Sequence, residues 1–198
     1  MKKRMAFFAA LVIALSAYVS GRAQEEGDWD WVNQHFQTTL NEFLPLDKDA
    51  VLAFRSYRDL YTDVLEYSIS FLQTRQGGLE VVVRMPIDVS VYDQLMRFHL
   101  ENPGEDISSI KKKLRVKEWR LAEESCPAAR YWFSEYQKLL LPTPTQDIII
   151  LHPMVYRFHL SDSVTDMQIE VHDEEHPLVI WAENTRRALS ACTIDKDR

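Results

Sequence analysis

The sequence predicts an α+β fold: a helical N-terminal half packed on a mixed or antiparallel sheet, followed by a C-terminal β-α-β-β-β-α segment. Three observations predict it. Apolar residues recur every three or four positions from Asp28 to Phe43 and again beyond Pro177, which is the period of amphipathic helices. Met154 to Leu160 and Met167 to Val171 instead alternate apolar with largely polar residues, the period of strands with one wet face. Pro45, Gly77-Gly78, Asn102-Pro103-Gly104 and the stretch "LPTPT" separate these runs with turn-forming residues.

Residues 1–23 precede the fold. A basic start (Lys2, Lys3, Arg4), an apolar run from Met5 to Val19 and the small residues Gly21 and Ala23 give the three-part layout of a secretory signal peptide cut after Ala23. The run falls short of the roughly 20 residues that cross a bilayer, so no stable membrane anchor is expected after cleavage. The first cysteine is Cys126, so no thiol stands at the cleavage point to carry a lipid. Residues 24–198 then form a single exported domain, with sub-halves 24–105, mainly helical, and 106–198, α+β. The expected location is periplasmic or secreted.

Trp29, Val32, Phe36, Leu40 and Phe43 form the stripe of a first helix, which Pro45 ends. Asp47 is placed to cap a second, with a stripe through Phe54, Tyr57, Tyr61, Val64, Leu65 and Leu72 and a stop at Gly77-Gly78. Such a helix would span about 45 Å. The two tryptophans of "DWDW" read as core packing. "LEVVVRM" (79–85) is a strand by its β-branched content, and Ser90 to Leu100 a short helix.

From Lys111, "KKKLRVKEWRL" reads as a strand with Leu114 and Val116 facing inward and Arg115 and Lys117 outward. Its basic residues suit either an anionic partner or an edge strand guarded against pairing with other chains, and the second reading is preferred. Ser125-Cys126-Pro127 starts a helix with an apolar face of Trp132, Phe133, Tyr136, Leu139 and Leu140. "DIIIL" (147–151) has the continuous apolarity of a buried strand. The two alternating runs that follow make a hairpin through "SDSVTD", and Leu178, Trp181, Ala182, Thr185, Leu189 and Cys192 mark a last helix.

The full chain carries a formal charge of −7. Removing Lys2, Lys3, Arg4 and Arg22 with the signal makes the remainder more acidic, which disfavours nucleic acid and anionic lipid as partners. The two cysteines, Cys126 and Cys192, reach an oxidising compartment on export and are expected to form one structural disulfide.

His172-Asp173-Glu174-Glu175-His176 fits the H-x-x-E-H spacing of certain zinc peptidases. That chemistry needs both imidazoles on one face of one helix. Here His172 ends an alternating strand, and His176 precedes Pro177, which disfavours helical backbone before it. The motif is therefore read as a strand-to-helix turn, with no metal and no cofactor expected. The few glycines form no phosphate cradle and no nucleophile elbow.

The polar face of the hairpin is the candidate surface. If its turn centres between Ser163 and Val164, Arg157 lies opposite Glu170 and His159 opposite Gln168, with His172 beyond. These five residues are the candidate binding set, and the Lys111 to Arg120 segment is a second surface. No catalytic residue is assigned. The leading functional expectation is a non-catalytic exported protein that binds another protein or a small ligand. Its rival is an extracytoplasmic hydrolase using Glu170 with His159 or His172, which requires those groups to converge in a concave pocket.

Overall fold

A computed structural model describes residues 28–58, 66–139, 154–161 and 166–196. The expected signal peptide, the 147–151 strand and the centre of the hairpin turn lie outside them. The chain divides into two compact units, one of Met1–Thr38 with Tyr92–Leu114 and one of Thr39–Val91 with Arg115–Arg198.

In the first unit, the part of helix α1 (28–43) up to Thr38 buries Val32 and Phe36, and helix α2 (Val91–Glu101) from Tyr92 onward buries Tyr92 and Leu95; the end of α1 from Thr39 belongs to the second unit. Phe36 meets Tyr92 edge-on at 5.2 Å and Trp29 packs on Tyr92 at 5.7 Å. Trp31 stacks on the His99 imidazole at 4.1 Å and lies 4.4 Å from that of His35, so both tryptophans of "DWDW" pack within the unit. The short helix α3 (Ile107–Lys111) has Asp106 as its N-cap, accepting from the Ser108 and Ser109 amides.

The second unit is built on six antiparallel strands: β1 (Leu52–Arg58), β2 (Tyr67–Gln73), β3 (Leu79–Pro86), β4 (Val116–Ala122), β5 (Met154–Ser161) and β6 (Asp166–Val171). Their order across the sheet is β4-β3-β2-β1-β5-β6. The α+β class and the antiparallel sheet agree with expectation. The helix expected between Asp47 and Gly77 is overturned over the described residues, where that stretch holds β1 and β2, while Tyr61, Val64 and Leu65 of its stripe lie outside them. Residues Leu52 to Tyr57 are buried on both faces, which removes the alternation that marks a half-wet strand. Tyr67, Ile69 and Phe71 do alternate with Ser68 and Ser70, a two-residue period that outweighs the coincidental helical spacing. Gly77 and Gly78 close the β2–β3 turn. The Gly77 amide donates to the Thr74 carbonyl at 3.0 Å, and its φ of 83° is why glycine stands there.

One sheet face carries Leu52, Phe54, Ile69, Phe71, Val81, Val83 and Phe158 into the core with helices α4 (Pro127–Tyr136) and α5 (Pro177–Lys196). Trp181 anchors α5. Its ring meets Phe54 at 5.1 Å and Tyr136 at 5.4 Å, and its Nε1 donates to the Trp132 carbonyl at 2.8 Å. Cys126, the N-cap of α4, is disulfide-bonded to Cys192 on α5. No helix among the described residues is long and apolar enough to cross a membrane.

At the far edge β4 starts at Val116, later than expected, and its polarity is inverted. Lys117, Trp119 and Leu121 pair with Met85, Val83 and Val81, so they share the core-facing side, and the Lys117 ammonium lies 5.1 Å from the Trp119 ring centroid. Val116, Glu118 and Arg120 project from the other side. The buried Leu121 sets this alternation, and Val116 is only half-buried. The long lysine stem at 117 covers apolar surface while its head stays wet.

Candidate functional site

The face opposite the α4–α5 core is polar, and its register puts one residue from every strand in a single file. Glu118 lies opposite Arg84, Arg84 opposite Ser68, Ser68 opposite Arg55, Arg55 opposite Arg157, and Arg157 opposite Glu170. Carboxylates stand at both edges and guanidinium groups inside.

Arg84 donates to Glu118 at 2.7 Å and forks onto both oxygens of Asp47. Arg55 is 1% exposed. It donates to Asn41 Oδ1 at 3.0 Å and to the Leu44 carbonyl at 3.1 Å, just past the end of α1, where the helix dipole is negative. Burial, followed by the facing Arg157 charge, lowers its pKa to about 10.

Three of the five candidate residues meet at the hairpin. Arg157 Nε donates to Glu170 Oε2 at 3.0 Å, and its Nη2 reaches both the same oxygen and the Tyr57 hydroxyl, the latter at 3.1 Å. His172 Nε2 lies 3.1 Å from Glu170 Oε1. Burial works to raise the Glu170 carboxyl, but the bonds from Arg157 and His172 outweigh it and hold the pKa below the usual value. The register is the expected one, with Arg157 opposite Glu170 and His159 opposite Gln168. Gln168 is exposed, whereas His159 is 5% exposed and belongs to the buried part of the face. Tyr57 and Arg55 complete the cluster and were hidden by the helical reading of β1. Between Leu52 and Tyr57 the polar residues Arg55 and Ser56 are neighbours, so no alternation marks the strand in the sequence.

In the basic segment Lys113, Arg115 and Arg120 are paired with carboxylates of the chain. Lys113 bonds Glu105 at 2.6 Å, Arg115 reaches Asp88 at 3.3 Å, and Arg120 bonds Glu80 and Glu118. "HDEEH" is a strand-to-helix turn. His172 follows β6, the His176 amide donates to the Asp173 carbonyl, and His176 Nδ1 accepts from the Leu178 amide at the start of α5.

Two clefts lie on the core side of the sheet. One, of about 440 Å³, contains a carboxylate with all its acceptor sites filled. Glu183 Oε1 accepts from the hydroxyls of Tyr67 at 2.8 Å and Tyr156 at 3.2 Å, while Oε2 accepts the Arg186 fork at 2.9 and 3.1 Å. Burial, then the Glu183 charge, pushes both phenols up. The other cleft, of about 900 Å³, opens where β1 and β3 begin and β2 and β5 end. Val51, Leu79, Phe133, Tyr136, Leu160 and Met167 give it an apolar floor, and Lys48, Asp49, Gln73 and Gln137 a polar rim.

No protein-family model, curated protein or solved structure matches the chain.

Proposed function

We propose that the chain is an exported, non-catalytic binding protein that engages a partner along the polar face and outer edge of the β5–β6 hairpin. The observation that carries this reading is β6 itself. It ends the sheet among the described residues, with Met167, Gln168 and Glu170 exposed along it. An edge strand offers unpaired backbone donors and acceptors to an extended partner segment, and alternate side chains supply specificity. Arg157, Glu170 and His172 provide a charge pattern beside that edge.

Catalysis by the same residues is less well supported. A general acid needs a proton at working pH, and Glu170 is held ionised by two donors. His159 is buried, whereas Glu170 is exposed and His172 half-exposed. Export is supported by the signal-like residues 1–23 and by the disulfide, which persists in oxidising compartments.

The test is affinity capture from native envelope or culture fluid with the chain from Gln24, against a control carrying Arg157→Glu with Glu170→Arg. The swap retains an ion pair and reverses its layout. A partner captured by the native chain and lost with the control supports the reading. Equal capture by both, or none by a folded and oxidised preparation, sinks it and favours an unbiased hydrolase screen.

A further inference from the structure

The larger cleft lies on the sheet side opposite the Arg157–Glu170 pair, since Met167 and Leu160 alternate with Gln168 and His159. Its volume of about 900 Å³ is within the range of sites that enclose small ligands. Four floor residues, Val51, Leu79, Leu160 and Met167, are not aromatic, and the two rings lean inward, Phe133 on Phe71 at 5.5 Å and Tyr136 on Trp181 at 5.4 Å. Such a floor desolvates branched apolar groups better than it stacks flat sugar rings. Met167 is 40% exposed, and its flexible thioether adapts to varied shapes.

The rim sets the polarity of the occupant. Lys48 and Asp49 are adjacent and cancel in charge, and Arg130 is bonded to Glu123 at 2.8 Å, so the rim has no strong selection by net charge. Gln73, at the end of β2, and Gln137, the C-cap of α4, bring primary amides from two different elements. Both are exposed. No described residue hydrogen-bonds either amide or the Lys48 and Asp49 side chains. A primary amide offers one carbonyl acceptor and an NH₂ donor, the complement of a peptide unit. Burial raises the Tyr136 pKa, so its phenol stays protonated and able to donate.

We infer that this cleft, formed by the ends of β1, β2, β3 and β5 with α4, binds a short uncharged peptide through its apolar side chains, its amide groups pairing with Gln73 and Gln137. The cleft shares Met167 with β6 but none of Arg157, Glu170 and His172, so peptide binding here and partner binding on the hairpin's polar face are read by separate variants.

The experiment is a calorimetric titration of the oxidised chain from Gln24 with acetyl-Val-Leu-Phe-Leu-amide, run beside maltotetraose and decanoate. Saturable binding of the peptide is expected. The double variant Gln73→Ala/Gln137→Ala should weaken it about tenfold, the scale of two modest hydrogen bonds. Met167→Trp, which fills the cleft from an exposed position, should abolish it. Thermal unfolding of each variant should match the native chain, because all three positions are exposed. Absence of saturable peptide binding overturns the inference, as does peptide binding untouched by Met167→Trp. Saturable binding of maltotetraose or decanoate in place of the peptide, lost in Met167→Trp, keeps a ligand cleft and overturns the peptide class.

Discussion

Arg55 and Arg157 stand directly opposite one another on β1 and β5, and both guanidinium groups lie over the Tyr57 ring, at 5.3 and 5.6 Å from its centroid. Like charges facing across a strand pair are destabilising. The fold offsets this cost from three directions. The Leu44 carbonyl and Asn41 take Arg55, the ring face attracts both cations, and Glu170 takes Arg157.

Among the described residues Glu170 is the one carboxylate bonded to this pair, so Glu170→Gln should destabilise the chain by roughly 1 kcal/mol in urea unfolding, a modest figure because both partners are partly solvated. The pH dependence follows from its lowered pKa. The contribution is present above the ordinary carboxylate value and is lost as pH falls through the lowered one. The acid limb of the stability curve should therefore be shallower in the variant. Superimposable acid limbs would mean that Glu170 does not carry this linkage.

At the other end of the pH scale, Tyr67 is raised well above 10.0, and Tyr156 is raised too, both by burial first and Glu183 second. Their contribution is complete below the ordinary phenol value and declines as pH rises above it, because the unfolded chain loses protons that the folded chain keeps. Tyrosinate absorbance from these two rings should appear together with unfolding, not before it. Tyr67→Phe should cost about 1 to 2 kcal/mol at neutral pH and flatten the alkaline limb. Titration of all tyrosines in a chain still folded by circular dichroism would contradict this.

The Cys126–Cys192 bond closes a loop with a sequence separation of 66 and ties the start of α4 to α5. Cys126→Ser/Cys192→Ser should lower stability by about 4 kcal/mol on the chain-entropy account. Reduction of the native chain should have a similar effect. Equal denaturation midpoints with and without reductant would show that the helix–sheet core, not the crosslink, holds these helices.

β4 is the other edge of the sheet among the described residues, and its lysine and arginine are expected to discourage pairing between copies. Lys117→Val/Arg120→Thr should retain the monomer fold and increase concentration-dependent association in light scattering. A monodisperse variant at high concentration would remove the edge-guarding role.

Much of the architecture was legible in local patterns. Helix α1, helix α4, the hairpin with its register and α5 carry a clear period of 3.6 or 2 and are bounded by proline, glycine or polar turns, and strand β3 shows in its β-branched run. β1 was not legible, because a central strand covered on both faces has no polar side to show its period. The candidate site was half legible. Arg157, Glu170 and His172 meet as their alternation implies, while Tyr57 and Arg55 reach them only through the β1–β5 pairing, over about one hundred residues of chain.

By itself the sequence determined the class of fold, the disulfide partners, by default of any other cysteine, and the facing of Arg157 and Glu170. These depend on periodicity and on short-range turn geometry, which local residues carry. Only the tertiary structure decided that β1 lies between β2 and β5, that two arginines face each other across that junction, and that the ends of four strands and α4 enclose a cleft. Strand order and concavity arise from contacts between segments far apart in the chain, and these are set by the joint burial of many side chains, not by the spacing of any few.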